Sequence, residues 1–106
     1  MRMTGPLERV LGAFVADPAV PRYGYDLMKA AGLPSGTLYP LLARLEQQKL
    51  VSSAWETPQE EGQRPRKYYQ LTAEGIRTAR LELAQASARR QRAPAHPARP
   101  APGSLG

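Results

Sequence analysis

The chain has 106 residues, enough for one small domain with a limited core. It holds no Cys and one His, which excludes disulfides and any Cys-based zinc site. Its net charge of +6 is unevenly placed: residues 1–62 carry six Lys/Arg against seven Asp/Glu, and residues 63–106 carry nine against two.

A basic block of this kind favours nucleic acid or another anionic partner, with a solvated Arg-rich helix as the bland alternative. The start, MRMTGPLERV, lacks the apolar core of a signal peptide. No apolar run approaches the ~18 residues of a membrane helix. A cytoplasmic protein with no membrane partner is the expectation.

The first helix begins at Thr4, a hydroxyl cap, with Pro6 tolerated in the first turn and Glu8 near the amino end. Leu7, Val10, Leu11, Phe14 and Val15 repeat at helical spacing. Asp17-Pro18 and Pro21 end the helix near Ala16. A short second helix runs from Tyr23 or Tyr25 to Ala31, with Leu27, Ala30 and Ala31 inward and Gly32 as a left-handed cap. Gly32-Leu33-Pro34-Ser35 then makes the turn of a helix-turn-helix.

The third helix carries the most informative run, SGTLYPLLARLEQQKLV, from Ser35 to Val51. Leu38, Leu41, Leu42 and Leu45 form its apolar stripe. The opposite face is Gly36, Pro40, Ala43 and Gln47, small and uncharged where a solvated helix normally carries Lys and Glu. Pro40 removes an intrahelical bond if Ser35 is the cap but costs nothing if Thr37 is, so a start at Gly36 or Thr37 is expected.

Val51, Ser53 and Trp55 alternate with Ser52, Ala54 and Glu56, as in a strand. Thr57 to Gln63 connects it to a return strand, Arg66 to Leu71. Thr72 caps a last helix reaching about Arg92, with a thin stripe of Ile76, Ala79, Leu83 and Ala86. From Ala93 the chain is Pro- and Ala-rich, the composition of a disordered tail. The expected fold is mainly α with a small β-hairpin: a winged helix-turn-helix in 1–72, a C-terminal dimerisation helix in 73–92, and a tail in 93–106.

The stretches YGYDLMKAAGL (Tyr23–Leu33), SGTLYPLLARLE (Ser35–Glu46), Leu50-Val51, Trp55 and RPRKYYQLTAEG (Arg64–Gly75) resemble the PadR family of winged-helix transcriptional regulators. The resemblance runs from Leu7 to about Leu83. It implies a homodimeric bacterial DNA-binding protein, usually a repressor of a nearby operon. Three departures stand out. Lys49 occupies the place after the recognition helix where the family commonly has Gly, and a left-handed non-Gly residue there costs roughly 1 kcal/mol. One last helix replaces the longer helical region of many members. Glu60 and Glu61 sit in the wing loop, so its tip is expected to point away from phosphates.

With the third helix in a major groove, Ser35, Gly36, Thr37, Tyr39, Pro40 and Arg44 are the candidate DNA contacts. Thr37 and Tyr39 offer hydroxyls, and Arg44 can reach phosphate or a guanine edge. Arg64, Arg66 and Lys67 would hold phosphates from the wing. The amide ends of the second and third helices, with Gly24-Tyr25, add lesser candidates. Leu7, Leu11, Ile76 and Leu83 are the expected dimer contacts.

Trp55, Tyr68 and Tyr69 are expected as core or strand-pair aromatics. Arg89, Arg90 and Arg92 suit a solvated helix end. His96 stands alone in the tail, so no metal site is expected. No catalytic constellation, G-x-S-x-G motif or phosphate-binding Gly loop is present. The expectation is a non-enzyme without cofactor, whose partners are double-stranded DNA with a near-palindromic operator and a second copy of itself. A small-molecule effector is left open, without supporting residues. The rival from another class is a winged-helix module that holds an acidic protein on its basic face.

Overall fold

The computed structural model describes residues 2–92; the tail expectation for 93–106 and the lone His96 lie outside them. In chain order the elements are α1 (Gly5–Val15), β1 (Arg22–Tyr23), α2 (Gly24–Ala31), α3 (Ser35–Gln47), β2 (Val51–Glu56), β3 (Arg66–Leu71) and α4 (Ala73–Arg92). Among the described residues no helix is long and apolar enough to cross a membrane.

Local chemistry sets most of the boundaries. The Leu7 amide donates to the Thr4 hydroxyl at 3.2 Å and caps α1. Gly32 closes α2 at φ 67, ψ 39, the left-handed region that glycine adopts without strain. At the end of α3 the Lys49 amide donates to Glu46 and the Leu50 amide to Leu45, both at 3.0 Å. This is the paired bonding of a Schellman turn, and it forces Lys49 to φ 63. The family-like turn therefore survives without its glycine. Thr72 supports it by donating its hydroxyl to the Lys49 carbonyl at 2.9 Å. The same hydroxyl accepts from the Gly75 amide at 2.9 Å and so caps α4.

The expected start of α3 at Gly36 or Thr37 is corrected. The helix begins at Ser35 with Pro34 as its cap, and Pro40 lies inside it. With no N–H at Pro40, the Gly36 carbonyl loses its partner four residues on. Both residues are exposed, so water can satisfy that oxygen. Tertiary packing outweighs the lost bond: Leu38, Leu42 and Leu45 are buried, and Leu41 is half-buried.

One core joins all the elements except β1. Val10, Leu11 and Phe14 of α1, Leu27 of α2, the α3 leucines, Val51, Tyr69, Leu71 and Ala79 belong to it. Ala86 is also buried, so α4 packs along α1. At its far end Arg90 donates to both carboxylate oxygens of Glu8, at 2.9 and 3.1 Å. Ala30, expected inward on α2, is exposed; Gly24 and Met28 share the inner side with Leu27 and Ala31.

The sheet has three antiparallel strands in the order β1-β3-β2. β1, which the sequence reading missed, pairs Arg22 with Tyr69 and Tyr23 with Tyr68. In the hairpin Val51 faces Leu71, Ser53 faces Tyr69 and Trp55 faces Lys67. Glu56 faces Arg66 and Ala54 faces Tyr68, on the opposite side of the pleat. Gln70 ties the segment before β1 to the sheet by donating to the Ala19 carbonyl at 3.0 Å.

Candidate nucleic-acid interface

Helix α3 presents Ser35, Gly36, Tyr39, Pro40, Ala43 and Arg44 to solvent, with Thr37 half-buried. The leucine stripe fixes this orientation by packing against α1, α2 and β2. The Ser53 hydroxyl, donating to the Glu46 carboxylate, also holds α3 against the sheet.

Tyr39 leaves this face sideways. Its ring lies over the start of α2, so close that a Cβ at Gly24 would stand 2.2 Å from the phenol oxygen. What glycine permits there is this close approach, and no special backbone angle is involved. Tyr39 packs on α2 and yet remains 42% exposed.

Between α2, α3 and the wing lies an open cleft of about 360 Å³. Tyr23, Gly24, Tyr25, Tyr39, Trp55, Arg66, Lys67 and Tyr69 line it. Tyr25 and Trp55 are each 65% exposed. The expectation of Trp55 as a core or strand-pair aromatic is thus corrected in part. It pairs across the hairpin with Lys67 but lies outside the core. Tyr69 is buried, and burial pushes its phenol above the usual value of 10.0.

Two of the wing cations, Arg66 and Lys67, already have partners within the molecule. Lys67 Nζ lies 5.7 Å from the Trp55 ring centre and 5.6 Å from that of Tyr69. The Arg66 guanidinium stacks 3.9 Å from the Tyr23 ring centre and pairs with Glu56 at 3.3 Å. Glu56 in turn accepts from the Tyr23 hydroxyl at 2.6 Å. That bond, foremost, raises the Tyr23 phenol above its usual 10.0. Arg64 is exposed in the loop ahead of β3. The loop tip folds on itself: Gln63 accepts from the Gln59 and Glu60 amides at 2.9 and 3.4 Å.

The α3 and wing candidates therefore border one cleft at Tyr39, Arg66 and Lys67, with Arg64 on the loop beyond. The dimer candidates divide. Leu7 and Leu11 are 5% and 1% exposed, buried in the chain's own core. The i, i+4 stripe of α1 is covered by α2, α3 and α4 of the same chain. Ile76 and Leu83 are half-buried, while Leu81, which the sequence reading passed over, is 56% exposed. Tyr23 and Glu56 were missed as site residues, while Tyr25, a lesser candidate, lines the cleft. Tyr25 beside the helix-opening glycine was the one local hint.

A profile of the transcriptional regulator PadR-like family matches residues 15–81. Among solved structures, a PadR family transcriptional regulator from Eggerthella lenta is 39% identical, with a TM-score of 0.60, covering 80% of this chain and 81% of that one. A PadR-like transcription factor from Bacteroides fragilis is 33% identical, with a TM-score of 0.59 and coverage of 80% and 84%. MepR of S. aureus in its DNA-binding conformation is 25% identical, with a TM-score of 0.64; it is covered over 62% of its length by 84% of this chain. No protein of curated function matches.

Proposed function

The chain belongs to the transcriptional regulator PadR-like family, and from that premise we propose that it is a DNA-binding regulator acting as a homodimeric repressor of a nearby operon. Residues 1–72 read the DNA, and 73–92 join the two copies. The observation that carries this reading is the outward face of α3, small and uncharged at Gly36, Pro40 and Ala43, set beside a cleft that carries Arg66 and Lys67.

A helix reads a major groove by close approach, and bulky or acidic side chains on that face would prevent it. Ser35, Thr37, Tyr39 and Arg44 flank the close surface and reach phosphates or base edges. Arg64, Arg66 and Lys67 take phosphates on the adjoining backbone. Leu81 and the exposed sides of Ile76 and Leu83 make the dimer contact along α4. A two-fold dimer requires a near-palindromic operator with half-sites about 10 bp apart, or a multiple of that. The small residues of α3 favour a groove over an acidic protein partner, whose hot spots prefer Trp, Tyr or Arg opposite.

Fluorescence anisotropy with duplex DNA across a salt series tests the reading. With ~3–4 phosphates neutralised per protomer, the dimer should give a slope of log K against log salt near −6. Binding that ignores salt would overturn the phosphate contacts. Sedimentation showing only monomer would overturn the dimer, and transcription unchanged by operator occupancy would overturn repression.

A further inference from the structure

We propose that Glu56 tunes DNA affinity by competing with backbone phosphate for the Arg66 guanidinium. The inference rests on the wing contacting phosphates, as proposed above, and adds a residue that opposes the contact.

Three strands build the device. Tyr23 of β1, Glu56 of β2 and Arg66 of β3 meet on the outer side of the sheet. One Glu56 oxygen accepts from the Tyr23 hydroxyl at 2.6 Å, and the other faces Arg66 at 3.3 Å. The Tyr23 ring supports the guanidinium 3.9 Å from its centre. Glu56 is thus held from one side while it holds the cation from the other.

The Arg66 side chain is 57% exposed and that of Glu56 39%. Solvent reaches the pair, so it is weak and exchangeable. A phosphate bound at Arg66 would meet the Glu56 charge within a few ångströms. DNA binding must then break the pair or tolerate the repulsion, and either lowers affinity. An exchange of this kind sets the affinity below the maximum that the wing cations permit. Glu60 and Glu61, exposed in the loop, touch no wing cation and lack this role.

The test compares the full-length protein with Glu56→Gln, Arg66→Ala, the double variant and Glu60→Gln, measuring anisotropy with one duplex across a salt series. Glutamine retains the size of Glu56 and an oxygen for the Tyr23 hydroxyl but gives up the charge. Glu56→Gln should bind about two- to fivefold tighter per protomer, about four- to twenty-fivefold for the dimer, the worth of one exposed ion pair in each protomer. The dimer's salt slope should steepen by up to about 1.8, one more fully engaged phosphate in each protomer. In the Arg66→Ala background the gain should fall below about twofold, because the contested cation is gone.

An equal gain in both backgrounds, or an equal gain from Glu60→Gln, would reduce the effect to bulk charge and overturn the proposal. Weaker or unchanged binding by Glu56→Gln would overturn it too, since Glu56 would then prop Arg66 or do nothing. Unfolding curves confirm that each variant is folded. Failure of the wild type to bind duplex DNA sinks the functional reading itself, a separate result.

Discussion

On the outward face of α3, Gly36, Pro40 and Ala43 carry no polar side-chain atom and stand open to solvent. On the wing, Arg66 and Lys67 lie against Glu56, Tyr23, Trp55 and Tyr69 of the same chain. Helix α3 can meet a partner as it stands, whereas the wing must exchange one set of contacts for another. In the proposed DNA complex the first surface would contribute shape and the second charge. Specificity and salt dependence should therefore separate between them.

The largest effect should come from removing what holds the α3 surface rigid. Leu42 is almost wholly buried on the inner side of α3. Leu42→Ala should lower stability by about 2–5 kcal/mol, read from denaturant unfolding. A loss below 1 kcal/mol would mean that α3 is not anchored as described.

Gly24→Ala comes next and acts on the joint between the two surfaces. The new Cβ meets the end of the Tyr39 ring, an exposed side chain that can swing clear. Stability should change little, while DNA binding should weaken by about 1 kcal/mol, one hydrogen bond of the Tyr39 hydroxyl. A large loss of Tm with unchanged DNA affinity would assign Tyr39 to packing alone.

Replacing thymine by uracil at central half-site positions isolates the shape-reading helix. Each lost methyl contact with Ala43 or Pro40 should cost roughly 0.8 kcal/mol. The salt slope should stay the same, because the wing's phosphates are untouched. Arg44→Ala abolishing discrimination at a single G·C pair, with uracil operators bound normally, would replace methyl reading by polar reading.

The smallest effect belongs to the turn between the two regions. Lys49 sits at φ 63, where glycine is free of strain. Lys49→Gly should raise stability by about 0.5–1 kcal/mol, offset in part by the greater freedom of glycine in the unfolded chain. A Tm below that of the wild type would show that Thr72 and the Schellman bonds already remove the strain.

Much of this architecture follows from interactions within four residues, and those are legible in a sequence. The stripe of Leu7, Val10, Leu11 and Phe14 set the inner face of α1. The hydroxyls of Thr4 and Thr72 set two helix starts, and Gly32 set a helix end. Alternation across Val51–Glu56 and Arg66–Leu71 gave the hairpin, and the small residues of α3 marked the candidate surface.

What tertiary structure decided lies between residues far apart. β1 is two residues long, too short for any periodicity, and exists because β3 pairs with it. Tyr23 and Glu56 are 33 positions apart and meet only when three strands align. The α1 stripe announces burial but not whether the covering surface belongs to the same chain; here α2, α3 and α4 cover it. The start of α3 moved to Ser35 because burying its leucines outweighs one hydrogen bond missing at Pro40, a balance that no local propensity contains.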